Sequence, residues 1–148
     1  MSIPALDSNG FLPTGVHDCT FDELKTRFDG FQGSDRRPNL ARKLASFIGE
    51  CQSTGFVSSL LVDGSFVTSS TLPNDIDLVL VLRFGHDLTA DLPPKHYNLV
   101  SKKNVRKHYG FDIIAVREST QEYDEVVAFF EQVRGERNVR KGLLRLLL

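Results

Sequence analysis

The sequence predicts an α/β (α+β) fold, a short mixed sheet of three to five strands flanked by helices, and three observations carry that expectation. Asp75-Ile76-Asp77 runs into Leu78 to Leu82 without a polar break, the pattern of a strand covered on both faces. Phe111-Asp112-Ile113-Ile114-Ala115-Val116 is a second strand of the same kind. Between and around these runs, apolar residues recur at the helical period, as in Leu40, Leu44, Phe47, Ile48 and Cys51. Strands and helices that alternate in this way pack as layers about one sheet.

Residues 1–19 hold Pro4, Gly10, Pro13 and Gly15 without a period, so they read as an irregular arm pinned by Phe11, Leu12 and Val16. Thr20 and Glu23 form a capping-box pair before the stripe Phe21, Leu24 and Phe28, a short helix ending near Gly30. After a polar break from Gly33 to Pro38, the second helix starts at Asn39, or already at Arg36, and ends at Ser53-Thr54-Gly55. Cys51 lies on its apolar stripe and reads as a buried spacer. Phe56 to Val62 is the first strand, followed by a Gly64-Ser65 corner and room for a short helix over Phe66 to Thr71. Residues 83–104, with Pro93-Pro94, read as a surface excursion. Ser119 or Thr120 caps a last helix carrying Tyr123, Val126, Val127, Phe129, Phe130 and Val133, which ends near Gly135, and Leu143 to Leu148 close the chain as a strand or a short helix.

A chain of 148 residues with 41% hydrophobic and 25% charged residues suits one globular domain over residues 1–148. Cys19 and Cys51 form no CxxC pair, which favours a reducing, cytoplasmic setting. The longest apolar run, Leu78 to Leu82, is too short to span a bilayer, so no membrane partner is expected. A net charge of −1 gives nucleic-acid binding little support. The charge is uneven, however: Lys95, Lys102, Lys103, Arg106 and Lys107 form a basic stretch that reads either as a solvated face or as a surface for a phosphate-bearing partner. His17, His86, His96 and His108 lack metal-ligand spacing, which argues against zinc.

Residues i and i+2 of a strand share a face, so Asp75 and Asp77 present their carboxylates together. Like charges held so close are costly without a cation between them. The pair therefore reads either as surface acids at a strand end or as ligands for a metal. With Asp112 on a neighbouring strand, the three acids would offer the hard oxygen ligands that Mg2+ prefers. The Gly64-Ser65 corner would supply amides and a hydroxyl to a phosphate, or Ser65 is a simple helix cap and Asp63-Gly64 a turn.

Gly64-Ser65, nine intervening residues, Asp75-Ile76-Asp77 and the later Asp112 resemble the signature of the minimal nucleotidyltransferase fold of the polymerase-beta-like superfamily. The resemblance implies that Gly64 and Ser65 contact the triphosphate of an NTP. It implies also that Asp75, Asp77 and Asp112 are the catalytic, metal-binding acids for Mg2+ or Mn2+, with Asp112 helping to activate an acceptor hydroxyl. More closely still, Leu12-Pro13-x-Gly15-x-His17, Thr20-x-x-Glu23, Arg27-Phe28, Asp63 to Thr68, and Arg137 to Leu147 around Lys141-Gly142 resemble a family of small prokaryotic proteins of unknown function within that superfamily.

Two departures separate this chain from many active transferases. Phe66-Val67-Thr68 stands where basic residues follow the glycine-serine pair, and there is no room for the additional helical domain that larger members use to hold base and acceptor. The expected activity is Mg2+-dependent transfer of a nucleoside monophosphate from an NTP to a hydroxyl of protein, RNA or a small molecule, with a protein partner or second subunit completing the site. The alternative is an inactive interaction module of a toxin and antitoxin or phage-defence pair, with residues 95–107 and Leu143 to Leu148 as contact surfaces.

Overall fold

Strand β2 (Val57–Asp63) lies in the middle of a five-stranded mixed sheet, and the other strands are placed by their pairing to it. The computed structural model describes residues 3–29, 36–70, 76–83, 94–133 and 135–148. β1 (Val16–Cys19) is followed by α1 (Phe21–Asp29) and α2 (Arg36–Thr54), then by β2, a single 3-10 turn over Ser65–Val67 and β3 (Asp77–Leu82). The chain continues through α3 (Pro94–Val100), α4 (Lys102–Tyr109), β4 (Asp112–Arg117) and α5 (Gln121–Phe130). It ends with β5 (Gln132–Val133), β6 (Glu136–Arg140) and β7 (Leu143–Leu147).

The sheet order is β1-β7-β2-β3-β4, and β5 with β6 forms a separate two-stranded ribbon. β2 is antiparallel to β3 and β7, whereas β4 runs parallel to β3 and β1 parallel to β7. A parallel neighbour requires a long crossover, and between β3 and β4 that crossover contains α3 and α4.

Alternation along the strands divides the core into two layers. Leu60, Val62, Leu78, Leu80, Leu82, Ile113, Leu144 and Leu146 join Leu24, Phe28, Leu44, Phe47, Cys51, Leu99 and Val105 of α1 to α4. Leu61, Val79, Val81, Val116 and Leu143 face the other way, against Tyr123, Val126, Val127 and Phe130 of α5. β3 is apolar at every position after Asp77 because both of its faces are covered.

Several boundaries differ from the sequence expectation. Residues 1–19 are not wholly an irregular arm, because Val16–Cys19 pairs as an edge strand whose partner lies more than a hundred residues away. The excursion after β3 contains two helices: Pro94 occupies the first position of α3, where the missing N–H costs nothing, and Ser101 caps α4 by accepting from the Asn104 N–H. The residues of that excursion from 84 to 93 lie outside the described residues. The last helix ends at Phe130, and the leucine-rich terminus is the strand β7. Leu143, Leu144 and Leu146 are buried there and belong to the core, while Leu147 is exposed.

Other local signals hold as read. Thr20 and Glu23 close a reciprocal capping box, each backbone N–H donating to the other's side chain at 3.1 Å. Thr120, rather than Ser119, caps α5. α2 begins at Arg36, and Cys19 and Cys51 are buried free thiols that burial pushes up to about 12. No helix among the described residues is long and apolar enough to cross a membrane.

Arg37 is the largest fully buried side chain among the described residues, 1% exposed. Its guanidinium donates to the carbonyls of Phe28, Phe66, Thr68 and Ser70 at 2.6–3.1 Å, and lies 5.9 Å and 5.4 Å from the Phe28 and Phe66 ring centroids. The end of α1, the start of α2 and the loop after β2 are thereby tied to one planar cation. Desolvation lowers its pKa to about 10, so it remains charged at neutral pH. Arg37→Met is expected to lower unfolding stability by roughly 3–5 kcal/mol, because several buried carbonyls lose their donor together. Denaturant melts of the variant check this, and a change under about 1 kcal/mol would contradict it.

At the sheet edge, Arg145 of β7 grips Asp18 of β1 with Nε on one carboxylate oxygen and an amino nitrogen 3.0 Å from the other. The hydrogen bond from Arg145 holds the Asp18 carboxyl below the usual carboxylate range. A depressed carboxyl pKa stabilises the fold above the ordinary pKa, and that contribution is lost as pH falls through the folded-state value. The wild type is therefore expected to exceed Asp18→Asn by about 1 kcal/mol at neutral pH. Thermal melts from about pH 7 to about pH 2 should show the gap closing at the acid end.

Candidate functional site

β2 ends, and β3 and β4 begin, at one edge of the sheet. Their pairing places Asp63 opposite Asp77 and Asp77 opposite Asp112. Paired residues share a face of the sheet, and neighbouring strands lie about 4.8 Å apart, so three carboxylates form a row across three adjacent strands. It is the α5 face, because Asp77 alternates with Leu78 in step with Val79 and Val81.

Such a row is repulsive, and each outer member has its own cation. Asp63, 2% exposed, is ion-paired with Lys141 Nζ at 3.0 Å. Asp112 accepts from Arg106 of α4 at 2.7 Å, and that pair lies largely in solvent, with side chains 61% and 73% exposed. Asp77, in the middle, lines a cleft of about 730 Å³ together with Asp63, Gly64, Ser65, Thr68 and Lys141.

The loop that carries Gly64 and Ser65 is held from below. Gly64 has φ +95°, a conformation that a residue with a side chain rarely adopts. The chain then makes one 3-10 turn, in which Thr68 Oγ1 donates to the Ser65 carbonyl at 2.7 Å. Phe66 and Val67 are buried, and Arg37 holds the Phe66, Thr68 and Ser70 carbonyls. Two residues of the uncharged stretch after Ser65 are thus core residues that anchor the loop and could not be basic. Among the described residues that line the cleft, the basic one is Lys141, 76 residues later in the chain.

Lys141 stands between β6 and β7, and the N-terminal segment fixes it. Its N–H donates to the Glu131 carbonyl, the Gly142 N–H to the Leu12 carbonyl and the Leu143 N–H to the Gly15 carbonyl, at 2.8–3.0 Å. Glu131 also accepts from the Gly15 N–H, and His17 Nε2 lies 2.7 Å from the Pro13 carbonyl. A β-carbon on Gly142 would stand 1.9 Å from the Pro13 oxygen, so only glycine fits. Leu12-Pro13-x-Gly15-x-His17 is in this way a cradle for Lys141-Gly142, and His17 is a structural member of it.

Of the residues read from sequence, Gly64, Ser65 and Asp77 come together in the cleft. Asp112 is in register beside Asp77 but is not among the described residues that line the cleft. Asp75 lies outside the described residues. Among the described residues, no group of three or more His, Cys, Asp or Glu side chains is placed to hold a metal ion. Asp77 and Asp112 have the oxygen donors a hard cation takes, while Asp63 is committed to Lys141. Arg37 carries no signal in the sequence, and Asp63 and Lys141 stand out there only as parts of the motifs that resemble the family, with no role attached. Asp63 is one acid at the end of an apolar run, and its role appears only when the register puts it beside Asp77.

Fold and cleft together define an α/β protein with a five-stranded mixed sheet whose acidic edge opens onto a polar cleft. The chain belongs to a family of unknown function, DUF6932, which matches residues 4–147. No curated protein matches the chain, and no solved structure matches it.

Removing Lys141 would leave a buried carboxylate beside a second one. Lys141→Met is expected to cost about 3 kcal/mol of stability, and the double variant Asp63→Asn, Lys141→Met less than Lys141→Met alone. Urea unfolding of the single and double variants measures the coupling; strictly additive losses would show that the two groups do not depend on each other.

Proposed function

We propose that the protein is a Mg2+-dependent nucleotidyltransferase, moving a nucleoside monophosphate from an NTP to a hydroxyl of a protein, an RNA or a small molecule. The observation that carries this reading is the shared cleft of Gly64, Ser65 and Asp77, with Asp112 in register on the adjacent strand. The spacing of these residues is that of the minimal nucleotidyltransferase signature, and the short mixed sheet suits it.

Asp77 and Asp112, with Asp75, would hold the metal, which when bound neutralises phosphate charge and lowers the pKa of the attacking hydroxyl. In the transfer the acceptor oxygen bonds to the α-phosphorus as the bond from that phosphorus to the β-phosphate oxygen breaks. Pyrophosphate leaves, and the hydroxyl proton passes to the Asp112 carboxylate and on to water. Asp112 reaches that role only after exchanging its bond to Arg106, a pair so exposed that its loss costs little. Gly64 and Ser65 would border the triphosphate, and the Lys141 ammonium would offset its charge at the cleft wall.

One observation favours a second reading, an inactive module that acts by binding another protein in a toxin and antitoxin or defence pair. Both outer carboxylates of the row already have cationic partners, an arrangement that is self-sufficient without metal. The basic side chains Lys102, Lys103, Arg106 and Lys107 of α4 are exposed and would then form a contact face. Incubation with each NTP and candidate acceptors, followed by intact-mass spectrometry and a pyrophosphate assay, separates the two. Transfer is expected in the wild type and a loss on the order of 100-fold or more in Asp77→Asn. If the wild type gives neither adduct nor pyrophosphate, and Asp77→Asn binds its partner as well as the wild type does, the second reading stands.

A further inference from the structure

The cleft wall is not only polar. Besides Gly64, Ser65, Thr68 and Lys141 it is lined by Phe11 of the N-terminal segment and by Phe129 and Phe130 at the end of α5. Phe130 packs into the layer beneath α5, and Phe129 stands against it edge-on, with centroids 5.3 Å apart and planes at 83°. Phe129 is 63% exposed, one of three large apolar side chains so exposed among the described residues. A phenylalanine so exposed adds little to the core. It lines the cleft, where a ligand would meet it.

The lining combines two kinds of chemistry. Lys141, Ser65 and Thr68 are polar or cationic, and Phe11, Phe129 and Phe130 are aromatic; the cleft's volume of about 730 Å³ is within the usual range of small-molecule sites, about 300–1,000 Å³. An anionic phosphate chain attached to a flat, π-rich ring matches both kinds of lining. We propose that Phe129 is the base-stacking residue of the cleft. The proposal rests on the nucleotide reading of the cleft and names the residue that holds the base. Stacking needs only a π-face and discriminates little among bases, so the site accepts the four nucleotides with similar affinity.

Isothermal titration calorimetry of the full chain with Mg2+ and α,β-methylene ATP, and separately with Mg2+ and inorganic tripolyphosphate, tests this. The wild type is expected to bind the nucleotide analogue more tightly than tripolyphosphate. Phe129→Ala should weaken the analogue on the order of tenfold and leave tripolyphosphate unchanged, while Phe129→Tyr restores affinity. Phe129→Leu, which keeps apolar bulk without the flat face, serves as a second variant and should behave like Phe129→Ala; melting curves verify that each is folded. Unaltered analogue affinity in Phe129→Ala or Phe129→Leu overturns the base-stacking role and leaves the transferase reading standing. So does a wild type that binds tripolyphosphate and the analogue equally well, or a Phe129→Ala that only changes the oligomeric state. A wild type that binds neither probe overturns both.

Discussion

The buried pair of Asp63 and Lys141 is the interaction on which the rest of the architecture turns. Asp63 closes the central strand and Lys141 introduces the strand beside it. A carboxylate at 2% exposure would be intolerable without a cation at hydrogen-bonding distance. That requirement dictates where the last strand begins, and it draws in the N-terminal segment, whose Leu12 and Gly15 carbonyls receive the N–H groups just after Lys141. The N-terminal segment and the stretch before β7 meet at the cleft beside this ion pair.

Arg37 performs the corresponding task on the helical side. Its charge is met by carbonyl oxygens of four residues in two segments, together with the faces of two phenylalanine rings. A planar guanidinium can do this where a lysine could not, because its donors are spread in a fixed fork. The loop after β2 is consequently gripped from beneath while Gly64, Ser65 and Thr68 remain at the cleft surface. Asp63 and Arg37 fasten the same loop from its two ends, so its shape is fixed by buried polar contacts on both sides.

The uncharged Phe66-Val67-Thr68 is best understood in this setting. Read along the chain, it looks like a missing phosphate-binding cation. In three dimensions Phe66 and Val67 belong to the core, and Lys141 lines the cleft beside Gly64 and Ser65. Phe11 and the end of α5 complete the lining among the described residues. The cleft is assembled from segments far apart in sequence, so no local motif could have described it.

What the sequence by itself determined is local. The covered strands β3 and β4, the capping box at Thr20 and Glu23, and the apolar stripe of α2 follow from periodicity and from hydrogen bonds between near neighbours. The placing of Gly64, Ser65 and Asp77 on one cleft was also legible, because a strand, a corner and a strand in succession leave little freedom. Tertiary structure alone decided that Val16–Cys19 is a strand, that the leucine-rich terminus is β7 and that Asp63 stands in register beside Asp77. Those outcomes depend on register between distant strands and on the pairing of buried charges. Such energies do not exist until the sheet has formed, and no window of neighbouring residues contains them.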